Sequence, residues 1–125
     1  MIIEFKDKEV LQSCFKNGWH PRLIEILVWI CENCSATVIT EAWRLSLHAA
    51  DIHCTNPLRA FDLRSWVFKD PRLIEQKINQ AWEYDPKRPE KNVAWFHDSG
   101  YGNHFHIQTH PNTRRRNNAQ ADTKN

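Results

Sequence analysis

Residues 93–108 read VAWFHDSGYGNHFHIQ. Apolar, aromatic and β-branched residues flank a central SGYGN, the pattern of two short strands joined by a glycine-containing turn. This spacing predicts strands at Val93–His97 and His104–Gln108. Alternate side chains of a strand share a face, so His104 and His106 point the same way. Working outward, residues 60–63, AFDL, read as a further strand, and 36–40, ATVIT, as another, short and β-branched. Residues 21–34, PRLIEILVWICENC, open on a proline suited to a first helical turn. Leu23, Ile24, Leu27, Ile30, Cys31 and Cys34 then follow helical spacing. Asp70-Pro71 supplies an N-cap and first-turn proline for a helix reaching about Trp82, with Ile74, Ile78 and Trp82 on one face. Helix, strand, strand, helix, strand, strand predicts an α+β domain, a small antiparallel sheet flanked by helices.

The chain has 125 residues, enough for one domain with its own core. Its mean hydropathy of −0.68 and lack of any apolar run near the roughly 18 residues of a membrane span argue against a membrane protein. Residues 1–11, MIIEFKDKEVL, carry five charges and do not read as a secretory signal. A cytoplasmic place of synthesis is therefore expected. The net charge of +2 is uneven. From Asn112 onward the sequence is NTRRRNNAQADTKN, where Arg114, Arg115, Arg116 and Lys124 face only Asp122. Residues 1–111 are left at −1, so the body is not a basic nucleic-acid binder and no nucleic-acid partner is expected. Residues 112–125 read as a basic, disordered tail on a single domain of residues 1–111.

Cys31 and Cys34 form one CxxC, with Cys14 and Cys54 apart from it. A four-cysteine zinc site wants a second close pair. Because both thiols continue the apolar helix pattern, they read as small hydrophobes. The six tryptophans read as packing residues. His20 and His110, each beside a proline, read as loop residues.

Chemistry concentrates in two segments, HCTNPLRAFDLR at 53–64 and HDSGYGNHFHIQ at 97–108. Asp62 sits between Phe61 and Leu63, where a carboxylate is costly to bury unless paired or bound to a cation. Two imidazoles and a carboxylate with an open fourth position make a catalytic zinc shell. The same residues also allow a solvent-facing HxH and an Asp62 ion pair with Arg59 or Arg64. Non-haem iron uses the same donors, but its usual His-x-Asp pairing is missing here.

The run VITEAWR at 38–44, then His53, RAFD at 59–62 and HFH at 104–106 resembles the zinc peptidase superfamily of lysostaphin, D-Ala-D-Ala peptidases and hedgehog domains. It is most similar to the small phage and bacterial D-Ala-D-Ala carboxypeptidases and L-alanyl-D-glutamate endopeptidases, over residues 36–113. The resemblance implies a hedgehog/D-Ala-D-Ala peptidase-like fold, one Zn2+ and a peptidoglycan peptide as substrate. It implies His53, Asp62 and His106 as metal ligands, His104 beside the metal, and Arg44 on a substrate carbonyl or carboxylate. A small wall lysin of this kind would act as a monomer on the cell wall after release from the cytoplasm. Two departures stand out. The step from His53 to Asp62 is two residues longer than in relatives, and Ser46-Leu47-His48 mimics their Ser-x-His, making His48 a rival first ligand. In place of the glutamate that relatives carry before the last histidine, Asp98 is the nearest carboxylate, and it is expected as general base, with His97 and His104 as competitors. A non-catalytic zinc-binding structural or wall-binding domain of phage origin is the alternative, and a cysteine-based zinc module a third.

Overall fold

The computed structural model describes residues 2–47, 50–98 and 102–116, with Asp98 described through its backbone alone. The elements run β1 (Glu4–Phe5), α1 (Lys8–Cys14), α2 (Pro21–Asn33), β2 (Val38–Glu41), a short 3-10 turn (Ile52–Cys54), β3 (Ala60–Arg64), α3 (Pro71–Ala81), β4 (Trp82–Glu83), β5 (Ala94–Asp98), β6 (Asn103–Gln108) and β7 (Arg114–Arg115). Together they make a small mixed α+β fold, a central sheet flanked by helices. The sheet order is β1-β2-β3-β6-β5. Every neighbouring pair is antiparallel except β1 with β2, so the sheet is mixed rather than wholly antiparallel. The expectation missed the parallel edge because a two-residue strand leaves no periodicity to read.

Period-two alternation divides the sheet into two faces. Phe61, Leu63, Phe105 and Ile107 are fully buried and join Ile39 with Leu23, Ile26 and Ile30 of α2 and Ile78 of α3 in one apolar cluster. The helices therefore cover this face, where removal of apolar area from water supplies the main driving force. Asp62, Arg64, His104 and His106 occupy the alternate positions and belong to the opposite face. On α2 the buried positions are Leu23, Ile26, Leu27 and Ile30, while Ile24 is 48% exposed. The predicted stripe was thus rotated by part of a turn.

Capping fixes the helix starts. Asp70 accepts from the Leu73 amide at 3.2 Å and Asp7 from that of Val10 at 2.9 Å. His20, expected in a loop, caps α2 by accepting from Arg22 N at 3.1 Å. His110 accepts from Asn112 N at 3.0 Å in a turn before β7.

Helix α3 also closes the outer edge of β5. Asn79 accepts from Ala94 N and donates to Ala94 O, both at 2.9 Å, and Glu75 accepts from Phe96 N at 2.7 Å. These side chains stand in for a missing strand and blunt an edge otherwise open to aggregation. Asn79→Ala leaves two backbone groups of buried Ala94 without partners. It is expected to destabilise the fold by about 2 kcal/mol, measurable by urea unfolding.

The basic stretch differs from its sequence reading. Arg114–Arg115 pairs with Trp82–Glu83, so residues 112–116 are part of the fold. Arg115 lies over the rings of Trp82 and Trp29 at 5.4 and 5.6 Å. Arg114 bonds Glu83 at 2.9 Å, and Arg116 donates to Asn79 O and Ala81 O at the end of α3. Cations at a helix C-terminus are favoured by its unpaired carbonyls. Composition showed the charge and could not show these partners. Residues 117–125 lie outside the described residues.

The four cysteines are free. Cys14 is buried, and burial pushes its thiol up to about 11. Cys31 and Cys34 are half-buried at the end of α2. Of the tryptophans, Trp82 is buried as expected, but Trp66 and Trp95 are 73% and 56% exposed. No helix among the described residues is long and apolar enough to cross a membrane.

Candidate metal centre

Register brings the site together. Asp62 of β3 lies opposite His106 of β6, and Arg64 lies opposite His104. His97 of β5 faces His104 in turn, and Trp95 faces His106. A bulge between Ile39 and Glu41 keeps Ile39 on the apolar face while setting Glu41 opposite Asp62. Bulges of this kind re-aim a side chain beside a functional site.

His53 arrives from the 3-10 turn, which Asp51 organises. One Asp51 oxygen accepts from His53 N at 2.9 Å, and the carboxylate bonds Arg44 Nε at 3.1 Å. Arg44 N also donates to His53 O at 2.9 Å. The turn and the segment after β2 are tied together at this point. The His53 ring is 2% exposed. The connection onward to β3 passes through a cis Asn56–Pro57 peptide.

Three donor atoms converge. His53 Nε2 is 3.2 Å from Asp62 Oδ1, His106 Nδ1 is 3.2 Å from the same oxygen, and the two nitrogens are 3.3 Å apart. A tetrahedral ion with bonds of about 2.0–2.1 Å separates its ligands by about 3.3 Å. All three edges of the triangle match one face of such a tetrahedron. Among the described residues this is the group of histidine, cysteine and carboxylate side chains placed to hold a metal ion. The cysteines take no part in it.

Hydrogen bonds behind the triangle decide where the imidazole protons sit. His53 Nδ1 contacts Ala42 O at 2.8 Å, and a carbonyl there requires an N–H. His106 Nε2 contacts Gln108 Oε1 at 3.1 Å, and Gln108 Nε2 donates to Asn92 O at 2.9 Å, which fixes the amide's orientation. Both neutral rings therefore turn a lone pair toward Asp62 Oδ1. Such outer partners are what orient histidine ligands. Three electron-rich atoms facing one point are unfavourable unless a cation lies among them. The donor set, two imidazoles and a carboxylate, fits zinc and is typical of zincin-like metallopeptidases.

Gln108 escaped the sequence reading, although it continues the 104, 106, 108 alternation and so belongs to the same face. Gln108→Ala is expected to weaken zinc binding by about 10–100-fold without unfolding the chain. Titration against a chromophoric chelator reads this directly.

The remaining expected residues are placed as follows. His104 Nε2 lies 3.7 Å from Asp62 Oδ2, and its ring centre lies 4.5 Å from that of His97, which in turn stacks on Trp95 at 4.0 Å. Arg44 lines a cleft of about 450 Å³ that also includes Asp62 and His104. Its guanidinium is held by Asp51 and, at 3.5 Å, by Glu41. Asp98 pairs with Asn103 by backbone at the end of β5, and its side chain is outside the described part. His48 lies outside the described residues. The proposed ion pairs of Asp62 with Arg59 or Arg64 are replaced by histidine contacts: Arg59 instead bonds Thr109 O and the Tyr84 hydroxyl, and Arg64 lies over Trp66.

Compared with protein-family models, with curated proteins and with solved structures, the chain matches none. What ties it to a chemistry is the order of its motif residues and the geometry they adopt.

Proposed function

We propose that this chain is a zinc-dependent peptidase that hydrolyses peptide bonds of bacterial peptidoglycan. The observation that carries the reading is the triangle of His53 Nε2, Asp62 Oδ1 and His106 Nδ1, sized for one face of a zinc tetrahedron and beside a cleft. Zinc, when bound, supplies Lewis acidity toward water and a peptide carbonyl. The chain's own groups do the rest. Asp62 contributes the one anionic donor, and Ala42 and Gln108 hold the two rings in their ligating tautomers. His104, close to the cluster without belonging to it, accepts a proton from water and returns it to the leaving amine. Arg44, on the cleft wall, adds positive potential where negative charge develops on the substrate. Proton transfer is given to His104 because it shares the face of Asp62 and His106, with Asp98, whose side chain lies outside the described part, as the carboxylate alternative.

Peptidoglycan as the substrate rests on the resemblance in motif order. In this reading the chain is made in the cytoplasm and meets the wall after release. The test is digestion of purified sacculi by zinc-loaded protein. New peptide amino termini with intact glycan strands are expected. Sacculi and stem peptides left whole by a chain carrying one zinc would overturn the reading in favour of a non-catalytic zinc domain.

A further inference from the structure

The cleft beside the metal cluster is lined by three cations, Lys6, Arg44 and Arg64, and two carboxylates, Glu41 and Asp62. These charges do not cancel locally. Arg44 is taken up by Asp51 and Glu41, at 3.1 and 3.5 Å. Asp62 turns one oxygen to His53 and His106 and the other to His104. Among the described residues, no carboxylate lies within ion-pair distance of Lys6 or Arg64.

Placement makes this residual charge useful. Arg64 is two residues beyond Asp62 on β3, on the same face and opposite His104. Its guanidinium lies 4.7 Å over the exposed ring of Trp66. This ring contact restrains the guanidinium, so less further freedom is lost when its N–H groups bind a planar anion. Lys6 follows β1, donates its backbone N–H to Ile39 O, and lines the same cleft. An ammonium and a guanidinium lining one cleft suit a carboxylate, which a guanidinium binds through two parallel hydrogen bonds.

We infer that Lys6 and Arg64 form a carboxylate-binding subsite, so that the substrate is a peptide with a free carboxylate next to the bond that is cut. The inference rests on the proposed peptidase reading for the cut itself and on the charged cleft for the binding. The carboxylate is either the chain terminus of the peptide or a free side carboxylate within it.

The test uses the zinc-loaded full chain and a synthetic stem peptide, L-Ala-γ-D-Glu-L-Lys-D-Ala-D-Ala, in three forms: free acid, glutamate carboxamide and C-terminal amide. Binding is followed by calorimetry and cleavage by mass spectrometry. One of the two amidations is expected to weaken binding by about tenfold or more, and which one identifies the carboxylate. Arg64→Gln should bring acid and amide to the same affinity, Arg64→Lys should restore part of the difference, and Lys6→Gln should reduce it. Lys6 is exposed, so that variant keeps the test sound even if Arg64→Gln folds poorly. Wild-type protein that binds all three forms alike, or binds none, overturns the subsite. So does discrimination that survives in the Lys6→Gln, Arg64→Gln double variant. Discrimination without cleavage keeps the subsite and removes the peptidase. Cleavage without discrimination does the reverse.

Discussion

Asp62→Ala is expected to cost zinc affinity on the order of a thousandfold or more, since loss of an outer-shell partner alone costs about 10–100-fold. Asp62 is the one anionic donor of the triangle, and its Oδ1 lies 3.2 Å from both ligand nitrogens. Without it, the two imidazoles offer lone pairs but no charge to offset a dication. The metal-free variant should still fold, because Phe61 and Leu63, on either side of position 62, keep their places in the apolar cluster. Circular dichroism separates loss of metal from loss of fold. His53→Ala and His106→Ala should behave alike, with His53→Ala the more damaging to stability because that ring is buried and bonded to Ala42 O. Zinc affinity unchanged by all three substitutions would remove the assignment.

His104→Ala is expected to lower kcat/KM on peptidoglycan peptides by about 100- to 10,000-fold, the usual scale for a general acid–base group. Zinc content should stay at the wild-type level, since His104 stands outside the donor triangle with its Nε2 3.7 Å from the other Asp62 oxygen. The contrast is with Asp98→Asn, which should change the rate little when the proton moves through His104. If Asp98→Asn abolishes turnover and His104→Ala does not, the proton passes through the carboxylate instead.

Much of this site was readable because strand alternation is a strong signal. AFDLR and HFHIQ each put large apolar residues at every second position and chemistry at the others. The same alternation also contained Gln108 and the exposed position of Trp95, which the reading of tryptophans as packing residues obscured. His53 is different. It lies on a 3-10 turn set by Asp51 and Arg44, where no periodicity marks a residue as inward-facing, and its role as a ligand came from the motif resemblance. At the N-terminus, Asp7 followed by Val10 and Cys14 did carry a cap and an apolar spacing for α1. That signal was legible in the sequence. The pairing of β1 was not legible, since it depends on Val38 and Ile39 across the fold. Arg114–Arg116 resembled a solvated tail because local composition says nothing about aromatic faces and helix carbonyls far away in sequence.

The same distinction separates the metal centre from the cysteines. A CxxC and a His…Asp…HxH are both zinc-like as text, yet only the second is brought to a point by the sheet. X-ray absorption at the zinc edge of the loaded wild-type chain tests this most directly. The geometry predicts one zinc per chain with imidazole nitrogen and carboxylate oxygen at about 2.0–2.2 Å and no sulfur. A sulfur shell near 2.3 Å, or a chain that takes up no zinc, would contradict it.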